Sequence, residues 1–570
     1  MKVKFYMPIT AGLLVLTTCA ENLENKITEI KVIEEMAKEE TIPAPTVETA
    51  FDFVQTSGGI DEYRCTLNDL SVLLMEDHSA PVATFMVTYH VGSRNEAIGH
   101  TGSTHLLEHM MFKGTKKFNK ENRNTIWTVL ENVGAQVNAS TSTDRTNYFE
   151  LLPREYLDRA VAIEADRMRN LLLRDEDRQP EMTVVRNEFE RGENDPFDVL
   201  NKNIWATAYQ AHPYHHSTIG WRSDIEGVST EQLREFYETF YWPNNATVTI
   251  IGDFNKNDAL QLILDNYGTI PKAPHKIPEM YTTEPNQEGG RRFVIKRAGQ
   301  MGIVGVAHKT PNGLHKDNYA IQILARILGG GKSGRLYKKI VDKGLATSIT
   351  MWDFPLRDNG LFITYAFLTP GTKHKDIEKI ILDEYELIKK KGVTNEEINR
   401  AKGQIRADQA YSRDGSYSIA SNLNEAIATG DWTYYTNYLE NINKVTEEDI
   451  ERIVDAYLIE DKSTTGYFIP KTDSGGGGQL DKLKARHIYN YKSKPTGNSE
   501  NIAISEAKIA DRIVEQIPTD GIRLLTLKTG VKDVVTIAGS FLGGDQYSPQ
   551  ANMMIADLTA AMLDKGTKNQ

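Results

Sequence analysis

The residues best placed to do chemistry are His105, Glu108 and His109, in the run His105-Leu-Leu-Glu108-His109. Residues 103–112 hold neither glycine nor proline and carry Leu, Glu and Met, so the pattern predicts a helix. Side chains four apart share a helix face, which lets His105 and His109 aim two imidazoles at one ion. Glu108 lies one turn from His105 and beside His109, within reach of a water on that ion without being a ligand. A catalytic zinc ion takes three protein ligands and keeps one position open, so two histidines call for a third donor. The segment Glu181-Met-Thr-Val-Val-Arg-Asn-Glu188-Phe-Glu-Arg-Gly192 supplies candidates. Glu181 and Glu188 are two helical turns apart and share a face. Glu188 is the expected third ligand, and Glu181 a carboxylate that steers a ligand histidine or the water. Glu190 is an alternative to Glu188 but falls on a different face from Glu181.

The order His-x-x-Glu-His, followed by a distant glutamate, resembles the pitrilysin–insulinase (inverzincin) family, which includes processing peptidases. Gly102-Ser-Thr-His-Leu-Leu-Glu-His-Met-Met-Phe-Lys-Gly-Thr115 is similar to the family signature almost throughout. Gly134-Ala-Gln-Val-Asn138-Ala139-Ser-Thr, followed by Asp144, Thr146 and Tyr148, resembles the family's edge strand that pairs with substrate backbone. Asn194-Asp-Pro196 and His212-Pro-Tyr214 also fall where the family has them, and the resemblance covers roughly residues 60–470, more weakly 506–570. It implies an α+β fold: repeated processing-peptidase-like domains, each an antiparallel-rich sheet under helices, forming a clam-like chamber. It implies one zinc ion, a zinc endopeptidase with Glu108 as general base, and peptide docking along Asn138 and Ala139. A non-catalytic peptide-binding or scaffold subunit is the alternative within the same family. The family grips substrate with an Arg and a Tyr, but Val341 and Thr347 stand at the matching places here. The resemblance therefore implies a partner: an inactive homologous half, in a longer chain or a separate subunit.

The elements that must position these residues fall into stretches. Residues 1–19 read as a signal peptide, with Lys2 and Lys4 before the apolar run 9–16 and Leu16-Thr-Thr-Cys19 resembling a lipobox. This predicts an exported protein, periplasmic or outer-membrane-anchored, held to the membrane by lipid on Cys19. Residues 20–56 read as a tether, 57–272 as the zinc domain and 273–290 as a linker. Residues 291–470 read as a second related domain, 471–505 as a glycine-rich linker, and 506–570 as the start of an inactive repeat. Strands are expected at 71–76, 82–91, 246–251, 292–296, 302–308 and 360–367. Helices are expected at 155–173, 317–328, 375–390 and 395–410. A shift of 452 positions sets Gly92 on Gly544 and Lys113-Gly-Thr115 on Lys565-Gly-Thr567. His105, Glu108 and His109 then fall on Asp557, Ala560 and Ala561, which hold no metal.

The remaining signals are bland. A formal charge of −12 in 570 residues argues against a nucleic-acid partner, which needs a basic stripe. With Cys65 as the only cysteine after Cys19, a disulfide framework is excluded. Gly329-Gly-Gly-Lys332-Ser333 lacks the spacing of a phosphate loop and reads as a helix-ending turn. His212, His215 and His216 read as a structural segment rather than a second metal site, and Met110 and Met111 as core beneath the ligand helix.

Overall fold

The computed structural model describes residues 45–471 continuously, and beyond them 513–519, 521–528 and a few positions between 535 and 560. The leader, Cys19, most of the tether and the glycine-rich linker lie outside the described residues. Among the described residues no helix is long and apolar enough to cross a membrane.

The chain builds two main sheets with helices packed on them, the expected α+β class. The first holds β1 (Phe51–Ser57), β2 (Ile60–Cys65), β3 (Ser71–Glu76), β4 (Val82–Tyr89), β5 (Gln136–Thr141), β6 (Thr146–Pro153) and β7 (Ala246–Gly252). Its spatial order is β1-β2-β3-β7-β4-β6-β5, with only β3 and β7 running parallel. The second holds β8 (Arg291–Ala298), β9 (Ile303–Lys309), β10 (Ala346–Asp353), β11 (Leu361–Leu368) and β12 (Ser463–Lys471). Its order is β10-β11-β9-β12-β8, with only β8 and β12 parallel. Leaving out the β1–β2 hairpin, the two orders are the same. In both, the first strand pairs with the last, then come the second, the fourth and, at a free edge, the third. The two domains are thus duplicates in topology.

The expected tether ends too late. Residues 47–50 form a short helix and β1 pairs with β2, so the last ten residues assigned to it belong to the first domain, six of them to its sheet. The difference has a physical cause: β1 is an edge strand with most of its side chains exposed, and it lacks an apolar face. Further on, β13 (Ile513–Thr519) and β14 (Ile522–Leu527) form an antiparallel hairpin. The shift of 452 positions lays it on β2 and β3 to within two residues.

The helices that bear on the site are α1 (Ser103–Met110), α2 (Asp175–Asn194) and α3 (Pro196–Ala208) from the first domain. From the second come α4 (Asp317–Gly329), α5 (Ser416–Thr429) and α6 (Thr433–Lys444). Each domain lends a helix to the other. The helix α3 follows α2 in the first domain, yet Leu200, Ile204 and Ala208 pack on Ile303, Ala307, Ile363 and Tyr365 of the second sheet. Gly305 and Gly466 face each other there on β9 and β12. A Cβ on Gly305 would lie 2.4 Å from Ile204 Cδ1, and one on Gly466 2.8 Å from Leu200 Cδ1. The two glycines make the hollow that α3 fills. In return α5 lays Ile419, Ala420, Leu423 and Ile427 on Leu73, Met86 and Ile251 of the first sheet. With both faces covered, β4 and β7 are buried almost throughout, and so they read as continuous apolar or β-branched runs.

Polar contacts reinforce this exchange. The Arg94 Nε donates to Asp358 at 2.5 Å, and the His212 Nε2–Asp358 distance is 3.1 Å. The Tyr214 N–H donates to His212 Nδ1 at 3.2 Å, so the proton sits on Nε2, which donates to Asp358. Burial pushes the Asp358 carboxyl up, but these donors outweigh it and hold it down at about 2. A depressed carboxyl stabilises the native state above its ordinary value of 3.8, and that contribution fades as pH falls toward 2. Urea unfolding should therefore show Asp358→Asn less stable than the parent at pH 7 and pH 5, the gap closing between about pH 4 and pH 2. A gap that stays constant across that range would contradict the assignment.

Candidate metal centre

The helix α1 carries the two histidines and Glu108. Leu106, Leu107 and Met110 bury themselves in the first core, which turns the histidines outward. Its N-terminus is fixed by Glu96, whose carboxylate accepts the Gly102 N–H at 2.9 Å and the Thr104 N–H at 2.7 Å. Gly102 sits at φ 87°, and a Cβ there would lie 2.4 Å from the Ile219 carbonyl oxygen. Only glycine fits both constraints.

Glu188 arrives from α2. Its Oε2 lies 3.8 Å from His105 Nε2 and 3.6 Å from His109 Nε2, and one ligand atom from each residue falls within 4.8 Å of the others. Zinc–nitrogen bonds of about 2.0–2.1 Å in a tetrahedron place donor atoms about 3.4 Å apart. Both histidine–glutamate spacings are thus close to what zinc asks, and the donor set of two imidazoles and one carboxylate suits it. The Glu188 side chain is 45% exposed while the histidines are 17–19% exposed, so the group opens on one side only. Burial, with His109 adjacent, pushes His105 down to about 4, which keeps its ring neutral and its lone pair available near neutral pH.

Glu181 lies on the same face of α2, as expected. Its Oε1 is 2.8 Å from His109 Nδ1, and its other oxygen pairs with Lys113. Burial raises the Glu181 carboxyl, but the His109 and Lys113 hydrogen bonds outweigh it and hold it below its ordinary value. An ionised Glu181 accepting from Nδ1–H leaves His109 Nε2 free to face Glu188. Glu190 instead turns away, 3.4 Å from Arg222, which removes the alternative ligand.

Glu108 is buried, and burial raises its carboxyl above the ordinary value, against a hydrogen bond from Thr141 Oγ1. Nothing local in the sequence singles out Thr141. The contact depends on the β5–β6 register, in which Thr141 pairs with Thr146 at the hairpin end and reaches across to α1. Asn138 and Ala139 lie on β5, the free edge of the first sheet, opposite Phe149 and Tyr148. The Ala139 N–H is taken by the Asn138 side-chain oxygen at 2.9 Å. A cavity of ≈ 800 Å³ opens beside Glu188, walled by Ser142, Trp205, His216 and, from the second domain, Phe354 and Leu356. His212 is engaged with Asp358. Among the described residues His105, His109 and Glu188 form the one group placed to share a metal.

This geometry, on this fold, defines a metallopeptidase-like scaffold, and comparison with known proteins narrows it. Residues 71–221 match the insulinase family (peptidase family M16), and residues 227–405 match the peptidase M16 inactive domain. The chain is 32% identical over 388 residues to the zinc protease PqqE of Helicobacter pylori, spanning 67% of this chain and 87% of that relative. An uncharacterized zinc protease of Streptomyces coelicolor is 27% identical over 385 residues, 65% of this chain and 81% of its own. Among solved structures, a protease from Helicobacter pylori superposes with a TM-score of 0.68 at 30% identity, covering 74% of this chain and 99% of the other. Pitrilysin shares the fold at a TM-score of 0.63 and 20% identity, covering 74% of this chain and 47% of its own. The chain belongs to the insulinase (M16) peptidase family.

The ligand assignment makes a measurable claim. Glu188→Gln should lose zinc on dialysis against a weak chelator, whereas Glu181→Gln should retain it with affinity lowered about 10–100-fold. Metal analysis combined with a competition titration would check both; unchanged affinity in Glu188→Gln would remove it from the ligand set.

Proposed function

We propose that the chain is a zinc-dependent endopeptidase acting on peptides or unfolded protein segments. The observation that carries this reading is the meeting of three elements at one point. The His105–His109–Glu188 donor group, the buried Glu108 on the same helix, and the free edge of β5 converge through Thr141. Zinc, when bound, supplies a Lewis acid that polarises a carbonyl and makes water more acidic. The protein supplies the rest. An extended segment adds to β5 by main-chain hydrogen bonds at Asn138 and Ala139, displacing the Asn138 side chain from the Ala139 N–H. Glu108 accepts a proton from the attacking water and passes it to the departing amine nitrogen. Glu181 holds the His109 ring and its tautomer.

The match of residues 227–405 to an inactive domain favours a division of labour in which the second domain binds and the first cuts. It also motivates the alternative of a non-catalytic peptide-binding subunit. In the same reading, an inactive homologous half completes the chamber, and the leader exports the protein and anchors it through Cys19.

Turnover of a diverse quenched-peptide library by the zinc-loaded full chain tests the activity. Glu108→Gln should bind zinc as the parent does while kcat/KM falls by about 10²–10⁴-fold. Equal turnover by the variant would exclude Glu108 as the base. Absence of turnover in the zinc-loaded parent would favour the binding-subunit reading.

A further inference from the structure

The loop that leaves the histidine helix, residues 113–125, runs Lys-Gly-Thr-Lys-Lys-Phe-Asn-Lys-Glu-Asn-Arg-Asn-Thr. It holds five basic side chains and one acidic one, in a chain whose formal charge is −12. Two of these charges are engaged outside the loop: Lys113 pairs with Glu181, and Glu121 with Arg174 at 3.0 Å. The other four, Lys116, Lys117, Lys120 and Arg123, are all exposed, and among the described residues none of them forms an ion pair. The loop is therefore a patch of positive charge on an acidic protein.

Neutral groups hold these cations together. Asn119 Nδ2 donates to the carbonyl oxygens of Thr115 at 2.9 Å and Lys116 at 3.0 Å. Asn122 Nδ2 donates to that of Lys116 at 3.2 Å, and Asn124 Nδ2 to that of Lys117 at 2.9 Å. Three asparagines thus tie the backbone of the loop without enlisting an acidic group. Arg123 sits at φ 56°, a left-handed conformation that glycine or asparagine adopts more readily. Like charges held this close repel one another, and an anionic partner relieves that repulsion. Position says which partner. Phe118 of the loop is buried against Ile126, Leu130 and Ile163, and Val137 of β5 packs on the same cluster. Between them Trp127, 38% exposed, stacks on Phe112 with ring centres 5.0 Å apart. The loop and the Gln136 end of β5 therefore share one small core, while the Thr141 end of β5 meets Glu108. The six residues of β5 span about 20 Å, so a strand lying along it reaches the cations at least about five residues from the bond attacked.

We propose that residues 116–123 form a docking surface for an acidic stretch of the peptide, several residues away from the bond that is cut. The inference rests on the reading of this protein as one that binds peptides along β5. The shared core with β5 favours an acidic peptide over an anionic membrane as the occupant.

Binding to the zinc-loaded, full-length Glu108→Gln protein separates this surface from catalysis. The probes are fluorescein-labelled peptides of one core sequence, extended by a run of glutamates or, in the twin, of glutamines, at the N-terminus or at the C-terminus. Fluorescence anisotropy should show one glutamate-tailed peptide binding on the order of tenfold tighter than its glutamine twin at about 50 mM salt, the advantage shrinking toward about 500 mM. Combining Lys116→Gln, Lys117→Gln, Lys120→Gln and Arg123→Asn should erase that advantage and leave the glutamine twin's affinity unchanged. The end at which the tail acts gives the direction of the peptide on β5, and either end supports the surface. No advantage at either end, or one that survives the fourfold variant, would overturn it. Should the fourfold variant fail to melt cooperatively, Lys117→Glu with Lys120→Glu serves instead, with the same loss expected. Absence of a tail effect, together with cosedimentation on phosphatidylglycerol-containing vesicles that needs the four cations, would overturn the proposal in favour of a membrane. A tail effect in a protein whose wild-type form cleaves nothing would sink the endopeptidase reading alone. Turnover by the wild type without any tail effect would sink the docking surface alone.

Discussion

The exchange of helices between the two domains is the constraint on which everything else in the molecule rests. Neither sheet is covered by its own domain alone. Leu200 and Ile204 of α3 belong by chain order to the first domain and by packing to the second, and α5 reverses the arrangement. Each fully buried aliphatic side chain contributes roughly 1.5–3 kcal/mol, so several on each helix bind the domains firmly together. The helix α2 that carries Glu188 ends at Asn194, two residues before α3 begins. The position of the third candidate ligand is thereby tied to the seating of α3 on a sheet that is not its own. The centre belongs to the pair of domains.

A second layer of support lies beneath the histidine helix. Arg167 is fully buried, its guanidinium 4.2 Å from the centre of the Tyr148 ring and 5.0 Å from that of Phe112. Its Nε donates to Glu164 at 2.7 Å, and Glu150 stands 3.7 Å away. Burial, reinforced by the nearby Glu164, raises the Glu150 carboxyl well above its ordinary value. Two carboxyl groups thus flank one buried guanidinium, with burial favouring the neutral form of Glu150. Tyr148 belongs to β6, the strand that holds β5 in place, and Phe112 follows α1.

What the sequence made legible was what depends on near neighbours. The histidine pair and the Glu181–Glu188 spacing are helical periodicities, and each survived intact because a helix repeats over a few residues. Strands β3 and β7 were read closely because burial on both faces gives unbroken apolar or β-branched runs. Other features were invisible because they join distant residues. The Thr141 contact to Glu108 depends on sheet register, and Asp358 meets Arg94 only after the domains dock. The exposed β1 looked like tether because an edge strand with no apolar face has no pattern to read. The helices at 416–457 escaped because α5 opens on Ser, Tyr and Asn, residues ordinary on a surface, and its apolar stripe makes sense only against a foreign sheet.

The Asn138 side chain resting on the Ala139 N–H has a consequence for what the exposed border of the first sheet tolerates. An open border of six residues invites any stray extended chain to stack on it, with aggregation as the result. With that N–H already satisfied, an incoming strand exchanges one hydrogen bond for another at this position. Attachment at this position then rests more on contacts made beyond the backbone. One amide side chain thus raises the threshold for accidental pairing at that border.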